Sequence, residues 1–278
     1  MNLIGRETEF KKVESVLSAG LHLLIEGPVG VGKTFLAGAV CESLGKSFIR
    51  IDGDNRFSER KLAGWFDPPL LVQKGYSRES FVPGPLVQAM ESGSLLFINE
   101  LNRLPEGVQN VLLPAIDEGR IDIPQLGLCV AKPGFQVIAT QNPREFVATT
   151  HLSEALLDRF EWIYLDYLEN EIEERILLDQ VSSLEKEEAS LLVHLIHQTR
   201  NDDRVLRGAS TRAAVHCAKL VLNHRHLKLK ERVLESALLC FPTRIELQAE
   251  VLQSKTLTEK FKELILEWIE LDFQKKKK

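Results

Sequence analysis

The chain has 278 residues and a formal net charge of −5 at pH 7, with 44% hydrophobic and 27% charged residues, the profile of an ordinary soluble globular protein. The acidic balance disfavours sequence-independent nucleic-acid binding, which needs a basic surface. No stretch reaches about 18 uninterrupted apolar residues, and the N-terminus lacks the pattern of a signal peptide. We therefore expect a cytoplasmic protein with no membrane span. Its four cysteines show no C-x-x-C spacing and are predicted to be free thiols.

Short apolar strands alternate with helical patterns up to about residue 165. The strand-like segments are "LHLLIEG", "SFIRIDG", "SLLFINE" and "FQVIATQNP", and the helical ones are "KTFLAGAVCESLG", "PLVQAMESG" and "PEGVQNVLLPAIDEG". This alternation is typical of a parallel sheet covered by helices on both faces. We predict an α/β core over residues 1–166.

The remaining residues, 167–278, lose the strand pattern. Segments such as "ENEIEERILLDQV", "STRAAVHCAKLVLNH" and "TEKFKELILEWIEL" carry apolar residues at three- and four-residue spacing, which predicts a helical domain with a C-terminal helix. The final "KKKK" is interpreted as a solvated basic tail. Within the core, residues 53–84 are longer than an inert connection usually is, so we interpret them as an insertion with a function of its own, with a plain surface excursion as the alternative.

The segment "GPVGVGKT" follows the strand "LHLLIE" and opens onto a helix, which matches G-x-x-x-x-G-K-[ST] in its required context. Glycines in this loop allow backbone N–H groups to surround phosphates, and the helix N-terminus adds the positive end of its dipole. Lys33 is expected to reach the β- and γ-phosphates, and the Thr34 hydroxyl to ligate Mg²⁺. The predicted phosphate-binding residues are Gly27, Pro28, Val29, Gly30, Val31, Gly32, Lys33 and Thr34.

ATP hydrolysis also needs a carboxylate at the end of a neighbouring strand to orient the attacking water. Glu100, at the end of "SLLFINE", takes this position. The acidic pair Asp117–Glu118 is a rival, but it follows a helical pattern and precedes Gly119, so we interpret it as an exposed helix end.

Two further polar residues are candidates for the same site. Asn142 ends the strand "FQVIATQNP", where it either holds the water or the γ-phosphate or is only a turn residue before Pro143. Arg159 in "SEALLDRF" has no obvious acidic partner in its own chain apart from Asp158 and Glu161. It either forms a surface salt bridge or places its positive charge against the ATP of a neighbouring subunit.

These segments together resemble the MoxR branch of the AAA+ ATPases over nearly the whole chain. "LIGRETEF" is similar to the nucleotide-edge motif, "GPVGVGKT" to Walker A, "LLFINELNRLPEGVQNVLLPAIDEG" to Walker B and its following helix, and "VIATQNP" to sensor 1. "LSEALLDRF" resembles the arginine-finger segment, and "RGASTRA" resembles sensor 2 at the start of a lid helix.

The resemblance implies a P-loop AAA+ core followed by an all-α lid, in a ring that is usually hexameric, with ATP and Mg²⁺ bound between subunits. Ile4 and Gly5 would contact the nucleotide, Arg159 would act in trans, and Arg212 would act in cis from the lid. Residues 53–84 would face the central pore, and "GRIDIPQLGLCVAKPGF" would form a hairpin before sensor 1. The partner implied is a protein with a von Willebrand factor A-type domain, which the ring remodels or activates.

Asn99 departs from the family pattern, because an Asp usually precedes the Walker B glutamate. The carbonyl of Asn99 can accept the same hydrogen bonds without the charge, from Mg²⁺-bound water or from the Thr34 hydroxyl. Charge-assisted hydrogen bonds are about twice as strong as neutral ones, so we expect Mg²⁺ affinity to fall roughly 5- to 30-fold. The sequence predicts slow but real Mg²⁺-dependent hydrolysis.

Three alternatives remain. The first is an ATP-binding scaffold or switch with very weak hydrolysis, which Asn99 favours and Glu100 with Arg159 disfavours. The second is a DNA-directed motor, which the acidic balance and the lack of a DNA-binding motif disfavour. The third is a structural zinc on His194, His197, His224 and His226, which no complete ligand set supports. Trp162, Tyr164 and Tyr167 are predicted to be core or domain-interface residues.

Overall fold

The structure is a computed structural model that describes residues 3–142, 151–252 and 256–275. Internal contacts divide it into two compact units between Leu165 and Asp166. The first is an α/β core, and the second is a helical lid to which Val29–Val31 and the segment ending at Gly5 are also assigned.

The core is built on one five-stranded sheet, whose strands are β1 (Leu23–Glu26), β2 (Phe48–Asp52), β5 (Leu95–Asn99), β8 (Gln136–Gln141) and β9 (Glu161–Tyr164). They lie in the order β2-β5-β8-β1-β9, and every neighbouring pair is parallel. The apolar run Leu95–Ile98 of β5 is fully buried, as expected for an inner strand covered on both faces. Because all strands are parallel, their carboxyl ends meet at one edge of the sheet, where ligands bind in such folds.

Helices pack against this sheet, and all but the first of them follow the helical patterns of the sequence. They are α1 (Glu7–Ser18), α2 (Lys33–Ser43), α5 (Pro85–Ser92), α6 (Glu106–Asp117) and the short α7 (Glu154–Leu157). Local sequence sets their ends: Pro85 opens α5, and Gly93, with a φ of 67°, closes it in the left-handed conformation that glycine adopts readily. Helix α6 ends at Asp117 with Glu118 as its C-cap, so the acidic pair Asp117–Glu118 is a helix end.

Residues 53–84 fold into two short helices and a two-stranded antiparallel ribbon. These are α3 (Glu59–Ala63), β3 (Gly64–Phe66), α4 (Pro68–Lys74) and β4 (Phe81–Pro83), with β3 paired to β4. Side-chain caps start both helices, since Ser58 accepts from the Lys61 N–H and Asp67 from the Leu70 N–H. The expected hairpin before β8 is also present, as β6 (Arg120–Ile123) paired with β7 (Gly127–Val130).

The lid consists of five helices among the described residues: α8 (Asn170–Gln180), α9 (Lys186–Asn201), α10 (Thr211–Asn223), α11 (Leu229–Cys240) and α12 (Leu257–Lys275). They enclose their own core, in which Phe241, Phe261 and Trp268 are almost fully buried. The sequence showed no strand here, yet β10 (Val205–Arg207) pairs with β11 (Glu246–Leu247). Strands this short leave no readable alternation of apolar residues.

A buried carboxylate ties three lid helices together. Glu173 on α8 is fully buried and accepts two hydrogen bonds from Arg200 on α9, at 2.9 and 3.0 Å. It also contacts His197 Nε2 at 2.9 Å and accepts from the Thr211 hydroxyl at the start of α10. The guanidinium of Arg200 lies 3.7 Å from the centre of the Tyr167 ring. Burial alone would raise the pKa of Glu173, but its hydrogen bonds to His197, Arg200 and Thr211 outweigh that effect and lower it.

For two of the aromatic residues, the structure excludes the core and leaves the domain-interface prediction untested. Trp162 is 59% exposed and Tyr164 is 39% exposed, so neither is a core residue. Both lie on β9, an edge strand of the sheet. Large aromatic residues were expected in the core because their burial is usually the more favourable state.

Over the described ranges, no helix is long and apolar enough to cross a membrane. Pro143 of the sensor 1 segment and the last three lysines of the tail lie outside the described residues.

Candidate nucleotide-binding site

The glycine loop leaves the carboxyl end of β1 and enters α2 with a backbone that only glycine adopts readily. Gly27, Gly30 and Gly32 have φ angles of 152°, 78° and 95°. A Cβ at Gly27 would lie 2.1 Å from the carbonyl oxygen of Leu165, which no side chain could tolerate. No side chain caps the N-terminus of α2 at Gly32, so its first N–H groups face the loop as donors for an anion.

The ammonium of Lys33 folds back over this loop. Its Nζ donates to the carbonyl oxygens of Gly27 at 2.6 Å and Pro28 at 2.8 Å. An ammonium carries three donors, and a bound phosphate would compete for them with these neutral carbonyls. The Lys33 ammonium therefore lies directly against the loop.

A chain of hydrogen bonds joins α2 to the carboxyl ends of β5 and β8. The hydroxyls of Thr34, at 3.3 Å, and Thr140, at 3.0 Å, both donate to Asn99 Oδ1. Thr140 Oγ1 in turn accepts from the Glu100 N–H at 3.0 Å, so its one proton is left for Asn99. Asn99 is thus held as an acceptor toward Thr34, the role that an aspartate would have.

The amide side of Asn99 contacts a carboxylate that the sequence did not single out. Asn99 Nδ2 donates to Asp52 Oδ1 at 2.8 Å, and the two residues are direct register partners at the ends of β2 and β5. Arg50 Nη2 donates to the same oxygen at 2.7 Å. Hydrogen bonding from Arg50, with a smaller contribution from Asn99, lowers the pKa of Asp52.

Glu100 has a left-handed backbone, with φ 60° and ψ 57°. For a residue with a side chain this conformation costs about 1 to 2 kcal/mol, and such strain persists where the surroundings hold it. The Glu100 N–H bonds to Thr140, and its carbonyl oxygen accepts from the Arg103 N–H at 2.9 Å. A Cβ at Gly53 would lie 2.1 Å from that carbonyl oxygen. The side chain is partly exposed and forms an ion pair with Arg103 Nε at 3.1 Å.

Asn142 lies at the carboxyl end of β8, next to this group. It is buried, and its backbone carbonyl oxygen accepts a long hydrogen bond, 3.5 Å, from Asn102 Nδ2. Asn102 follows Glu100 closely on the chain, in the 3₁₀ turn Leu101–Arg103. The structure therefore brings Asn142, Glu100 and Asn99 to one edge of the core sheet.

Arg159 forms an ion pair with Asp117, an acidic residue that the sequence did not indicate as its partner. Its Nη2 donates to Asp117 Oδ2 at 2.9 Å, and its Nη1 to the carbonyl oxygen of Ala155 at 2.6 Å. The hydrogen bond to Asp117 raises the pKa of the guanidinium further. Asp117 lies 42 residues earlier, at the end of α6, and only the packing of α7 on α6 brings the two together.

The other residues drawn from the family resemblance lie in the second unit. Arg212 is exposed in the first turn of α10, where the side chain of Ser210 caps the helix by accepting from the Ala213 N–H. Ile4 and Gly5 lie in the short N-terminal segment. Gly5 has a φ of 71°, and a Cβ there would lie 2.2 Å from the Ile172 side chain. The part these residues take in nucleotide binding remains a proposal.

The residues present fit Mg²⁺ and a triphosphate. Mg²⁺ prefers oxygen ligands, and Thr34 Oγ1 and Asn99 Oδ1 supply two neutral oxygens 3.3 Å apart. The glycine loop, the uncapped helix N-terminus and the Lys33 ammonium supply donors and positive charge for phosphate oxygens. This arrangement defines the class of P-loop nucleotide-binding proteins.

A family model for the AAA domain, dynein-related subfamily, matches residues 22–160. The chain belongs to this family, so it is an AAA+ ATPase with an ATP-binding core. It is 29% identical over 219 residues to the gas vesicle ATPase GvpN of Haloferax mediterranei, a match covering 73% of this chain and 62% of that protein. It is 31% identical over 182 residues to an uncharacterised protein of Staphylococcus saprophyticus, covering 64% of this chain and 68% of the other.

Solved structures show the same fold. A crystal structure from Cytophaga hutchinsonii, provisionally described as an ATPase, aligns with a TM-score of 0.52 and 25% identity, covering 95% of this chain and 90% of that one. A point mutant of Thermotoga maritima RuvB aligns with a TM-score of 0.58 and 20% identity, over 84% of this chain and 70% of the other. The latter likeness concerns the fold alone. An AAA+ α/β core followed by a helical lid is therefore the architecture of this chain.

Sequence reasoning missed three members of the site: Asp52, Gly53 and Thr140. Asp52 and Thr140 each lie at the carboxyl end of a predicted strand, and that position was the available signal. What the sequence does not give is the strand order, which places β5 between β2 and β8.

Proposed function

We propose that this chain is a MoxR-type AAA+ ATPase that hydrolyses Mg²⁺–ATP in a ring and uses the cycle to remodel a partner protein. One observation carries the hydrolytic part. Glu100 is held in a strained left-handed conformation, at the end of the strand whose Asn99 bonds to Thr34 of the phosphate loop. Strain of this kind concentrates at functional sites, where the surroundings fix a side chain in a needed position.

The chemistry assigns a distinct role to each residue. The backbone of residues 27–32 and the Lys33 ammonium bind the phosphates, and Thr34 and Asn99 hold the Mg²⁺ site. Mg²⁺, when bound, neutralises charge on the β- and γ-phosphates. Glu100 orients a water molecule and accepts its proton as the water oxygen attacks the γ-phosphorus. The bond from that phosphorus to the bridging oxygen breaks, and ADP leaves. Asn142 is assigned to hold the water or the γ-phosphate from the β8 side.

Comparing Glu100→Gln with Glu118→Gln tests this assignment. Glu100→Gln keeps the loop and should bind ATP normally but lose nearly all phosphate release, because the proton acceptor is gone. Glu118→Gln, which changes the rival carboxylate at the end of α6, should turn over like the native protein. Normal turnover by Glu100→Gln would remove Glu100 from the mechanism.

We propose that the rest of the site is completed by one residue of a neighbouring subunit and by residues of the same chain. Arg159 would reach the ATP of the next subunit in a ring that we expect to be hexameric, and Arg212 would contact the nucleotide of its own subunit from the lid. Ile4 and Gly5 would border the nucleotide base. Since Arg159 is bonded to Asp117, action in trans requires that this ion pair open or that Asp117 position the guanidinium. Within the ring, residues 53–84 would face the pore.

The partner we propose is a protein with a von Willebrand factor A-type domain, as is usual for MoxR-type rings. The likeness to a protein named as a gas vesicle ATPase supports an accessory role of this sort. A Glu100→Gln ring saturated with ATP should retain such a partner during co-purification, whereas Lys33→Ala should not. Recovery of no such protein from cells that express the native genes would contradict this part of the proposal.

The alternative is a scaffold that binds ATP, assembles and barely hydrolyses it. Asn99 favours this reading, because it removes the charge that usually helps to hold Mg²⁺. Glu100 and Arg159 favour turnover, since a binder needs neither of them.

A further inference from the structure

The carboxylate missing from position 99 is present one strand away. Asp52 ends β2 directly opposite Asn99 in the parallel register, and its Oδ1 accepts from Asn99 Nδ2 at 2.8 Å. Asn99 Oδ1 meanwhile accepts from the hydroxyls of Thr34 and Thr140. A series of hydrogen bonds therefore starts at the Glu100 N–H, passes through Thr140 and Asn99, and ends on the carboxylate of Asp52.

The orientation of the Asn99 amide is fixed by its neighbours. The Thr140 hydroxyl oxygen already accepts from the Glu100 N–H, so its proton points to Asn99. The opposite face of Asn99 meets an ionised carboxylate, which only accepts. A reversed amide would set its oxygen against Asp52, so Oδ1 must face Thr34.

We propose that Asp52 is a positioning residue of the Mg²⁺ site that supplies, through the Asn99 amide, the negative charge that the usual Walker B aspartate would carry. This inference rests on the proposed function. A carboxylate that accepts from an amide N–H polarises the amide, which increases the negative charge on its oxygen. Asn99 Oδ1 then becomes a better acceptor for Thr34 or for Mg²⁺-bound water than a lone asparagine would be.

The ion pair with Arg50 does not account for this arrangement by itself. Arg50 and Asp52 are two residues apart on β2, and their side chains are 46% and 60% exposed. Such a pair contributes little to stability and does not require Asp52 to face β5. The contact with Asn99 is the one that joins Asp52 to the phosphate loop.

The pairing also explains why position 99 is better occupied by asparagine than by aspartate in this chain. An aspartate there would place two carboxylates in hydrogen-bond contact, and two such groups cannot both ionise without strong repulsion. The negative charge should serve equally well at position 52 or at position 99. The double variant Asp52→Asn/Asn99→Asp should therefore recover the Mg²⁺ response that either single substitution weakens.

The test measures Mg²⁺ affinity directly. The ATP-bound protein is titrated with Mg²⁺ and followed with a fluorescent ATP analogue, while thermal unfolding is recorded for the nucleotide-free protein. Asp52→Asn should raise the Mg²⁺ concentration for half-maximal response about 3- to 10-fold, as expected when a charge-assisted hydrogen bond becomes neutral. Asp54→Asn is the matched control, because Asp54 is close in the chain but pairs with Arg56, and it should leave the response unchanged.

The swap separates a positioning role from a structural one. Asn99→Asp should lower the unfolding temperature of the nucleotide-free protein, and adding Asp52→Asn should restore both this temperature and the Mg²⁺ response. A response of Asp52→Asn equal to that of Asp54→Asn, in a protein whose nucleotide binding depends on Mg²⁺, would overturn this inference alone. A native protein without Mg²⁺-dependent nucleotide binding would contradict the proposed function and this inference with it.

Discussion

The backbone conformation of Glu100 depends on the absence of a side chain at Gly53. Its left-handed φ of 60° brings its carbonyl oxygen against Gly53, where only a hydrogen atom fits. The Gly53 N–H also donates to the Asn99 carbonyl oxygen at 2.7 Å. Gly53 thus constrains the backbone that carries the carboxylate of Glu100, the residue that we propose to be catalytic.

Gly53→Ala should therefore reduce hydrolysis without removing ATP binding. The added Cβ would lie 2.1 Å from the Glu100 carbonyl oxygen, so the end of β5 must shift. Overpacking of this sort costs about 1 to 3 kcal/mol. Phosphate release and ATP affinity are measured together in Gly53→Ala and in Gly38→Ala. Gly38 lies in α2, and a Cβ there meets nothing within 4 Å. Equal turnover by the two variants would show that Gly53 does not position Glu100.

Single residues of the site were predictable to the extent that a motif names them. The spacing of "GPVGVGKT" predicted the positions of Lys33 and Thr34, and the strand "SLLFINE" predicted Glu100 at a strand end. Asp52 and Asp117 carry no motif, and each becomes significant only through a neighbour more than 40 residues away. Such pairings follow from sheet order and helix packing, which local patterns do not encode.

Among the elements, three of the lid helices, α8, α9 and α10, are joined by Glu173. This carboxylate connects α8 to Arg200 on α9 and to Thr211, the residue before Arg212 on α10. Because a buried charge is tolerated only when it is paired, removing it should loosen all three helices. The position of the helix that carries Arg212 therefore depends on Glu173.

Glu173→Gln should destabilise the protein by about 3 kcal/mol at pH 7, since it leaves Arg200 with a weakened partner in a buried site. The folded-state pKa of Glu173 is lowered, so its stabilisation is present above the unfolded pKa of about 4.3 and is lost as the pH falls through the folded value. The difference in unfolding temperature between native and variant protein should therefore shrink below about pH 4. Glu171→Gln, exposed on the same helix, serves as the control. A difference that persists unchanged in acid would contradict the ionic role.

The strands β1, β2, β5 and β8 and most helices were predicted from the sequence, whereas α1, β9, β10 and β11 were not. Apolar runs such as Leu95–Ile98, and helix signals such as Pro85 and Gly93, act locally and are visible in the chain. The edge strand β9 and the ribbon of β10 and β11 are formed by pairing with distant segments. Trp162 on β9 is exposed, so of the two predicted places, core and domain interface, the core is excluded for it.

At the scale of the whole molecule, the nucleotide site is completed either within one chain or by Arg159 of a neighbouring subunit. Arg159 lies at the end of α7 and is held by Asp117 at 2.9 Å, whereas its proposed target is the ATP of another subunit. An arginine finger contributes about 10³ to 10⁵ in rate, so its presence or absence is easily measured.

Mixing Arg159→Ala with Lys33→Ala protein should restore part of the activity that each lacks alone. In a randomly mixed ring, about a quarter of the interfaces pair an intact loop with an intact arginine. The double variant mixed with Lys33→Ala is the control, because it contains no intact loop at all. Failure to recover activity, in assemblies proved to be mixed, would indicate a site completed within one chain.

We expect the native chain, with Asn99 in place of the usual aspartate, to hydrolyse ATP. The most direct test of this expectation is steady-state phosphate release by the assembled native protein, with Mg²⁺ and with EDTA, beside Lys33→Ala as a blank. We predict slow release that requires Mg²⁺ and is absent from Lys33→Ala. A native protein that binds ATP and assembles but releases no phosphate at any Mg²⁺ concentration would contradict this expectation and favour the scaffold.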